Sequence, residues 1–432
     1  MRELEPFSFD RALQSSAREL ERRKRTGESL QDALPDYLVD EETLHWLRES
    51  RTKDPLAASL ELWLLRLREQ VELGPRRREL AEAHRQQLYG ISEPEQVRLP
   101  LSEMLNLALS RPRERAAYLR GYFASAGALA DQVRRLWEER QIFADRLGTS
   151  LDSFEVVSAE LAPAAARFIE DTRGAFETLQ VEDPARLLTT ALAEDAQEGW
   201  PARLSPRTTL DLLGDRTWIH GLRLRPFSTP VARGAGSFLL ALESAGRAIS
   251  DAASALRSPF VLATDVFDLR RNCVGALLGM LPLSPAFATR RLGLGPSRVR
   301  DQQRHLARAA LVDARVATFR VLLRGLLARG SKALDSDLPE LSDGALGFDL
   351  PTAAAGVFIR VRPRDSQRFA GALLASSRHE TLVQTHDEDW FRNPRAIAEL
   401  RAELNEPAFT LPTSEELAAG SRALVARLQT LL

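Results

Sequence analysis

Apolar residues recur along most of this chain at alternating steps of three and four, the spacing that places side chains on one face of an α-helix. The pattern is clearest in the following residues: Leu119, Tyr122, Ala126, Leu129, Val133 and Leu136. Strand-like alternation is scarce, and residues 357–361 are the only segment that we predict as a strand. This periodicity predicts an all-α fold, a bundle of long helices.

Capping residues and helix breakers divide the chain into individual elements. We predict a helix between Ser110 and Gly148, and further helices at 236–256, 266–281, 297–329, 366–385, 394–404 and 413–431. Ser297 and Ser414, the latter with Thr413 before it, are the predicted caps of two of them. Residues 330–352 are rich in proline and glycine and are predicted as a loop.

A proline-rich region between residues 181 and 235 is the predicted domain boundary. It contains Pro184, Pro201, Pro206, Pro226 and Pro230, and proline ends or interrupts helices because it lacks the backbone donor. We therefore predict two helical lobes around a cleft, residues 1–205 and 206–432. One continuous domain is the alternative.

Charge and composition exclude several classes of protein. The 59 Lys and Arg residues balance 60 Asp and Glu residues, which gives a net charge of -1 and no global field for a polyanion. The longest nearly apolar run, residues 274–283, is too short to cross a bilayer, which needs about 20 residues. Cys273 is the single cysteine, so a Cys-based zinc site is excluded. We expect a cytoplasmic protein with no cofactor, no bound metal and no membrane or nucleic-acid partner.

The segment 236–256 has the frame of a zinc-peptidase helix without its histidines. In such enzymes a His-Glu-x-x-His sequence puts two imidazoles on one helix face and a catalytic glutamate between them. Here Leu242 and Gly246 occupy the two ligand positions, and neither can bind a metal. Glu243 is retained between them.

The layout of residues 100–430 resembles the thimet oligopeptidase and oligoendopeptidase family of zinc peptidases. The shared features are a long helical first half, the segment from Arg140 to Gly148 followed by helices, the ligand-type helix, and an acidic second helix that carries Asp265 and Asp268. The resemblance implies a metallopeptidase-like helical fold and a cleft for an extended peptide. The residues expected to line that cleft are Glu243, Arg247, Asp265 and Asp268. An unrelated bundle with Leu242 and Glu243 in a core helix is the alternative.

The chain departs from this family at the residues that carry its chemistry. Both ligand histidines are replaced, and the family's oxyanion-binding tyrosines near the C-terminal end have no counterpart. The four tyrosines are Tyr37, Tyr89, Tyr118 and Tyr122. The resemblance therefore implies a pseudo-peptidase without the family's activity.

Two further groups of residues are candidate sites. The first is the quartet His386, Asp389, Trp390 and Phe391, in which exposed rings would suit a partner-binding hot spot. A core anchor at a chain turn and a metal held by His386 and Asp389 are its alternatives.

The second group precedes and begins an Arg-rich helix. It consists of Gly293, Gly295, Ser297 and Arg298, and glycines before a helix N-terminus can cradle a phosphate. The spacing matches neither GxGxxG nor GxxxxGK[ST], and a flexible turn is the alternative reading.

These patterns together predict a non-catalytic helical binding or scaffold protein that holds a peptide or protein partner in a cleft. One alternative is a metal-dependent hydrolase that uses Glu243, Asp265 or Asp268 with His220 or His386. A second alternative is an arginine-mediated nucleic-acid or phosphate binder. The sequence does not decide the oligomeric state.

Overall fold

The structure is a computed structural model that describes most of the chain. The described residues are 6–51, 54–86, 88–91, 97–100, 107, 111, 113–115, 117–118, 121, 127–150, 158–193, 195–214, 216–231, 234–254, 259–350, 352, 365–406 and 411–432. Within these ranges the fold is all-α apart from one antiparallel hairpin, as the periodicity predicted.

The first part of the chain contains six described helices and the hairpin. The helices are α1 Pro6–Thr26, α2 Asp36–Val39, α3 Glu41–Ser50, α4 Pro55–Glu72, α5 Gly74–Gln86 and α6 Gly127–Arg146. The hairpin follows α5 and pairs β1 Leu88–Ile91 with β2 Val97–Pro100 in antiparallel register. The sequence analysis did not predict these two strands, and the strand predicted at 357–361 lies outside the described residues.

The rest of the chain is helical throughout its described parts. The helices are α7 Ser158–Asp171, α8 Arg173–Glu177, α9 Pro184–Leu192, α10 Pro206–Leu213, α11 Ala235–Ser254, α12 Phe260–Ala263, α13 Leu269–Gly279, α14 Pro285–Arg291, α15 Pro296–Arg329, α16 Ser331–Leu346, α17 Asp365–His386, α18 Pro394–Leu404 and α19 Ser414–Leu431. The predicted helices of the second half correspond to α11, α13, α15, α17, α18 and α19. Of the helix predicted from Ser110 to Gly148, the structure describes α6, and Ser110 lies outside the described residues.

The predicted loop at 330–352 is wrong for most of its length, because residues 331–346 form α16. Pro339 and Gly344 lie inside this helix, yet Leu334, Leu338 and Ala345 are buried at helical spacing along it. Helix α16 packs along α15. The burial of this apolar face outweighs the weak intrinsic helix propensity of proline and glycine.

Two predicted caps have different outcomes. Ser297 does not cap α15, since Gly295 is the N-cap residue and no side chain bonds the free backbone donors there. At α19 the cap is Thr413, whose side chain accepts from the backbone of Glu416 while Glu416 bonds back to Thr413. This reciprocal arrangement is a capping box.

Buried Arg315 on α15 ties three helices together. Its guanidinium donates to the carbonyls of Ala345 and Ile169 at 2.9 Å each and to the Thr172 hydroxyl at 2.8 Å, with a further bond to Gly344. Carbonyls at helix C-termini carry partial negative charge, so they stabilise the buried cation. Burial lowers the pKa of Arg315 to about 10, which leaves it protonated at neutral pH.

The buried apolar residues form two clusters. The smaller one joins α1, α3 and α4 to the end of α6 and to α12. Asp10 on α1 fixes this contact, because its carboxylate accepts from the backbone N–H groups of Phe260 at 2.8 Å and Val261 at 2.9 Å. The larger cluster includes residues on both sides of position 205, from Leu73 to Leu428. The division into lobes 1–205 and 206–432 around a cleft stays a prediction.

Glycines set the spacing of a layer formed by α11, α13, α17 and α19. A Cβ atom at Gly246 would lie 2.5 Å from the Val274 carbonyl oxygen, and one at Gly420 would lie 2.3 Å from that of Leu373. Gly371 approaches the backbone of Asn272 and Cys273 in the same way. These helices therefore come into backbone contact at the glycine positions.

Among the described helices, none is by itself both long and apolar enough to cross a membrane. One bent pair, Leu269–Leu283 with Pro285–Arg291, passes by length and composition alone and bends by 74° at its break.

Candidate functional site

Helices α9, α11, α13, α15, α17 and α19 enclose an apolar cavity of about 480 Å³. Alanines on α15 provide much of its wall, because their short side chains leave space that larger residues would fill. The lining residues on this helix are Ala309, Ala310, Asp313, Ala314 and Ala317. Leu188, Ala191, Leu239, Met280, Phe369 and Leu424 are among the residues that complete the wall from the other helices.

The cavity opens to solvent beside two exposed apolar residues. Val231 is 68% exposed and lies in the irregular segment before α11, and Leu240 on α11 is 38% exposed. Large apolar side chains at a cavity entrance extend its apolar surface outward. These two residues form the exposed apolar rim of the cavity.

A charged cluster forms the polar part of the wall. Arg368 on α17 donates through Nε and Nη2 to the two carboxylate oxygens of Glu243 at 3.1 and 3.0 Å. Its Nη1 and Nη2 also donate to Asp313 at 3.1 and 2.7 Å. Arg247, one turn along α11 from Glu243, pairs with it at 3.0 Å. Arg368 therefore crosslinks three helices through two bidentate contacts.

Mutual pairing keeps these groups charged. Burial alone would raise the pKa of Glu243, but the nearby charges of Arg368 and Arg247 outweigh it and the pKa is lowered. Burial likewise opposes protonation of Arg368, but Asp313 and Glu243 raise its pKa above the ordinary value. Glu243, Asp313 and Arg368 line the cavity. Together with Arg247, which pairs with Glu243, they form a cluster of two carboxylates and two guanidinium groups with no net charge.

Of the four predicted cleft residues, only Glu243 lies in the cavity wall. Glu243 contacts Arg247, whereas Asp265 and Asp268 lie at the start of α13. Asp265 accepts from the backbone N–H groups of Phe267 at 2.9 Å and Arg270 at 3.0 Å, and burial raises its pKa. Asp268 pairs with Arg66 at 3.3 Å. The two aspartates thus hold a turn and join α4 to α13.

The two rings of the predicted partner-binding quartet belong to the core. Trp390 and Phe391 are both 0% exposed, and Trp218 donates its indole N–H to the Phe391 carbonyl at 3.0 Å. His386 lies 2.9 Å from Glu399, and Asp389 precedes the short turn that carries the rings. Since a binding hot spot requires exposure, this arrangement corresponds to the core-anchor alternative.

The predicted phosphate-binding residues lie at the turn into α15. Gly293 adopts a left-handed φ of 68°, Gly295 is the N-cap residue, and Arg298 pairs with Glu198 at 3.5 Å. Ser297 is exposed at the start of the helix. These residues form a turn and a surface ion pair.

The positions that the zinc-peptidase frame assigns to histidine have packing roles here. Leu242 is fully buried in the larger cluster, and Gly246 contacts the backbone of α13. Within the part of the chain that the structure describes, no three His, Cys, Asp or Glu side chains come together as a metal site. His220 is exposed.

The sequence analysis did not identify Asp313, Arg368 or the alanines of α15 as residues of this site.

Comparison with known proteins adds no assignment, since neither a known protein family nor a curated protein matches the chain.

Proposed function

We propose that this chain is a non-catalytic binding protein whose cavity between α11, α15 and α17 holds an apolar peptide segment that carries one basic side chain. The observation that carries the proposal is the combination of a cavity of about 480 Å³ with an apolar lining and a single charged cluster. Ligand pockets typically have volumes of about 300 to 1,000 Å³ and few polar groups among apolar ones.

The exposed rim supports a peptide as the occupant. Val231 and Leu240 continue the apolar surface beyond the cavity, so a ligand longer than the cavity itself gains contact area there. An amphipathic segment that places successive apolar side chains in such a groove is a common mode of peptide recognition.

Charge supports a basic rather than an acidic group on that peptide. Arg368 already makes four hydrogen bonds to Glu243 and Asp313, and a guanidinium has about five N–H groups. The Asp313 side chain is 49% exposed and retains accepting capacity. A lysine or arginine on the ligand would pair with this Asp313 carboxylate, whereas a carboxylate beside it would be repelled.

The binding role needs no reacting group from this site. Its ionisable side chains are held in ion pairs, and the zinc-ligand frame around Glu243 contains Leu242 and Gly246 instead of histidines. Any kinship with zinc peptidases would therefore lie in the peptide-holding role.

Selection from a random peptide display library tests this proposal. Peptides enriched on the wild-type protein should combine large apolar residues with a lysine or arginine. On Asp313→Asn the preference for a basic residue should disappear, because the accepting charge is removed. The matched control is Asp301→Asn, which removes a carboxylate from an exposed position of the same helix.

Enrichment should also depend on the cavity. Ala310→Trp places an indole in the space, so the same peptides should no longer be enriched on that variant. Equal enrichment on the filled variant, or a preference for acidic peptides on the wild type, would contradict the proposal.

A further inference from the structure

A second cavity, of about 530 Å³, lies on the other side of α9 and α15 and has a different character. Its wall combines the turn after α8, one face of α9 and one face of α15. The lining residues are Thr178, Leu179, Gln180, Arg186, Thr189, Thr190, Ala193, Asp195, His305 and Arg308. Hydroxyl groups and basic side chains replace the alanines and leucines of the apolar cavity.

Two guanidinium groups in this wall have no partner among the described residues. Arg186 on α9 and Arg308 on α15 make no side-chain hydrogen bond or ion pair to the described residues. By contrast, Arg315 on the same helix as Arg308 and Arg368 on α17 make several hydrogen bonds each. A guanidinium presents a planar set of donors that matches a phosphate or carboxylate, so two such groups in one cavity favour an anion.

The surrounding groups add donors and little opposing charge. His305 lies 3.5 Å from Asp195, whose side chain is 70% exposed. Behind the wall, buried Arg115 donates to the Thr189 hydroxyl at 3.4 Å. Arg186, Arg308 and Asp195 together leave a net positive charge without counting His305. This cavity is therefore net positive, whereas the charged cluster around Glu243 is balanced.

Two of the four non-glycine residues with a left-handed φ in the described part of the chain line the same cavity. Gln180 has a φ of 51° and Ala193 a φ of 42°, and both residues line the wall. Non-glycine residues avoid this left-handed region, and such strain is typical of sites where the backbone is shaped for a ligand.

We propose that this cavity binds a small molecule with a phosphate monoester group, of about the size of a nucleoside monophosphate, with Arg186 and Arg308 as the phosphate-binding side chains. The volume exceeds what a phosphate alone would fill, and the threonine hydroxyls can bond a polar ligand body. This site is independent of the peptide-binding proposal, because Leu188 and Ala310 face the apolar cavity whereas Thr189 and Arg308 face this one.

Titration calorimetry with adenosine monophosphate and with inorganic phosphate tests the assignment on the full chain. We expect saturable binding of the nucleotide with a Kd of about 1 mM or tighter, and competition by inorganic phosphate. Arg186→Gln and Arg308→Gln should each weaken nucleotide binding by about tenfold or more, because each removes a charge-assisted contact.

The control is Arg304→Gln, which removes the same charge from an exposed position of α15 outside the cavity. The affinity of this variant for adenosine monophosphate should stay within about twofold of the wild-type value. No saturable binding of either probe, or equal weakening by Arg304→Gln and Arg308→Gln, would overturn the assignment. Display-selected peptides should bind Arg308→Gln as they bind the wild type, so failure here is separable from failure at the apolar cavity.

Discussion

Glu243 is buried and remains charged because two arginines pair with it, Arg247 on its own helix and Arg368 on α17. Removing the negative partner of a buried ion pair leaves uncompensated charge, which costs more than the pair itself contributes. Asp313 contacts the same Arg368 from a position that is 49% exposed, where water can replace it.

We therefore expect Glu243→Gln to lower the free energy of unfolding by about 3 kcal/mol, and Asp313→Asn to lower it by about 1 kcal/mol or less. Urea denaturation of the two variants measures both values. Both substitutions remove a carboxylate from Arg368, and Glu243→Gln also removes the partner of Arg247. Equal losses would therefore show that neither burial nor the second arginine makes the Glu243 contacts stronger.

The lowered pKa of buried His379 leads us to expect that the stability of the protein depends on pH. Burial, assisted by the charge of Arg427, lowers its pKa from 6.5 to about 3. The unfolded chain binds a proton at this residue below its ordinary pKa while the folded protein does not. Between pH 6.5 and about 3, acid therefore favours unfolding through His379, by up to about 1.4 kcal/mol per pH unit.

Denaturation midpoints measured from pH 7 to pH 4 test this residue. His379→Gln should lose less stability on acidification than the wild type, because the amide does not titrate. His45→Gln, at an exposed histidine with 75% side-chain accessibility, should keep the wild-type slope. Identical slopes for all three proteins would refute the assignment to His379.

At this scale the sequence identifies some site residues and cannot identify others. Glu243 and Arg247 are an i,i+4 pair, so their contact follows from helix geometry. Arg368 and Asp313 come from two other helices, and the sequence holds no signal that pairs them with Glu243. From the sequence alone, the aromatic pair Trp390 and Phe391 fits a buried core as well as an exposed surface. Only the structure shows that Trp218 packs beside them.

Among the elements, the contact between α11 and α13 depends most directly on residue size. A Cβ atom at Gly246 would meet the Val274 carbonyl oxygen at 2.5 Å and the Gly275 Cα at 2.9 Å, and both are backbone atoms that cannot rotate away. Gly325 on α15 has nothing within 4 Å of the same position.

We expect Gly246→Ala to destabilise the protein by about 1 to 3 kcal/mol, because the two helices must separate. Gly325→Ala should instead stabilise it by about 0.5 to 1 kcal/mol through the higher helix propensity of alanine. Chemical denaturation compares the two. A stabilising Gly246→Ala would contradict the close backbone contact.

Helix boundaries followed from local patterns where burial and propensity agreed, as in α11, α17 and α18. They failed at α16, where Pro339 and Gly344 suggested a loop although Leu334 and Leu338 already marked a helical face. The stabilising contacts there come from α15, including Arg315 bound to the carbonyls of α16. Such tertiary contacts are not visible in a local window of sequence.

For the molecule as a whole, the proline-rich region predicted a boundary between two lobes, and this division stays a prediction. Trp200 stacks on Phe238 with ring centroids 4.0 Å apart, and Trp218 contacts Trp390. Residues of the predicted linker thus belong to the larger cluster. The all-α class could be predicted because periodicity is local, whereas the cavity arises where six helices from distant parts of the sequence converge.

The affinity of one display-selected peptide for the wild type and for Ala310→Trp tests the central claim most directly. The account predicts that the indole weakens binding by about tenfold or more, because it occupies the space of a buried apolar side chain. Ala426→Trp, at an exposed position of α19, should bind as the wild type does. Equal affinities for the wild type and the filled variant would contradict binding in this cavity.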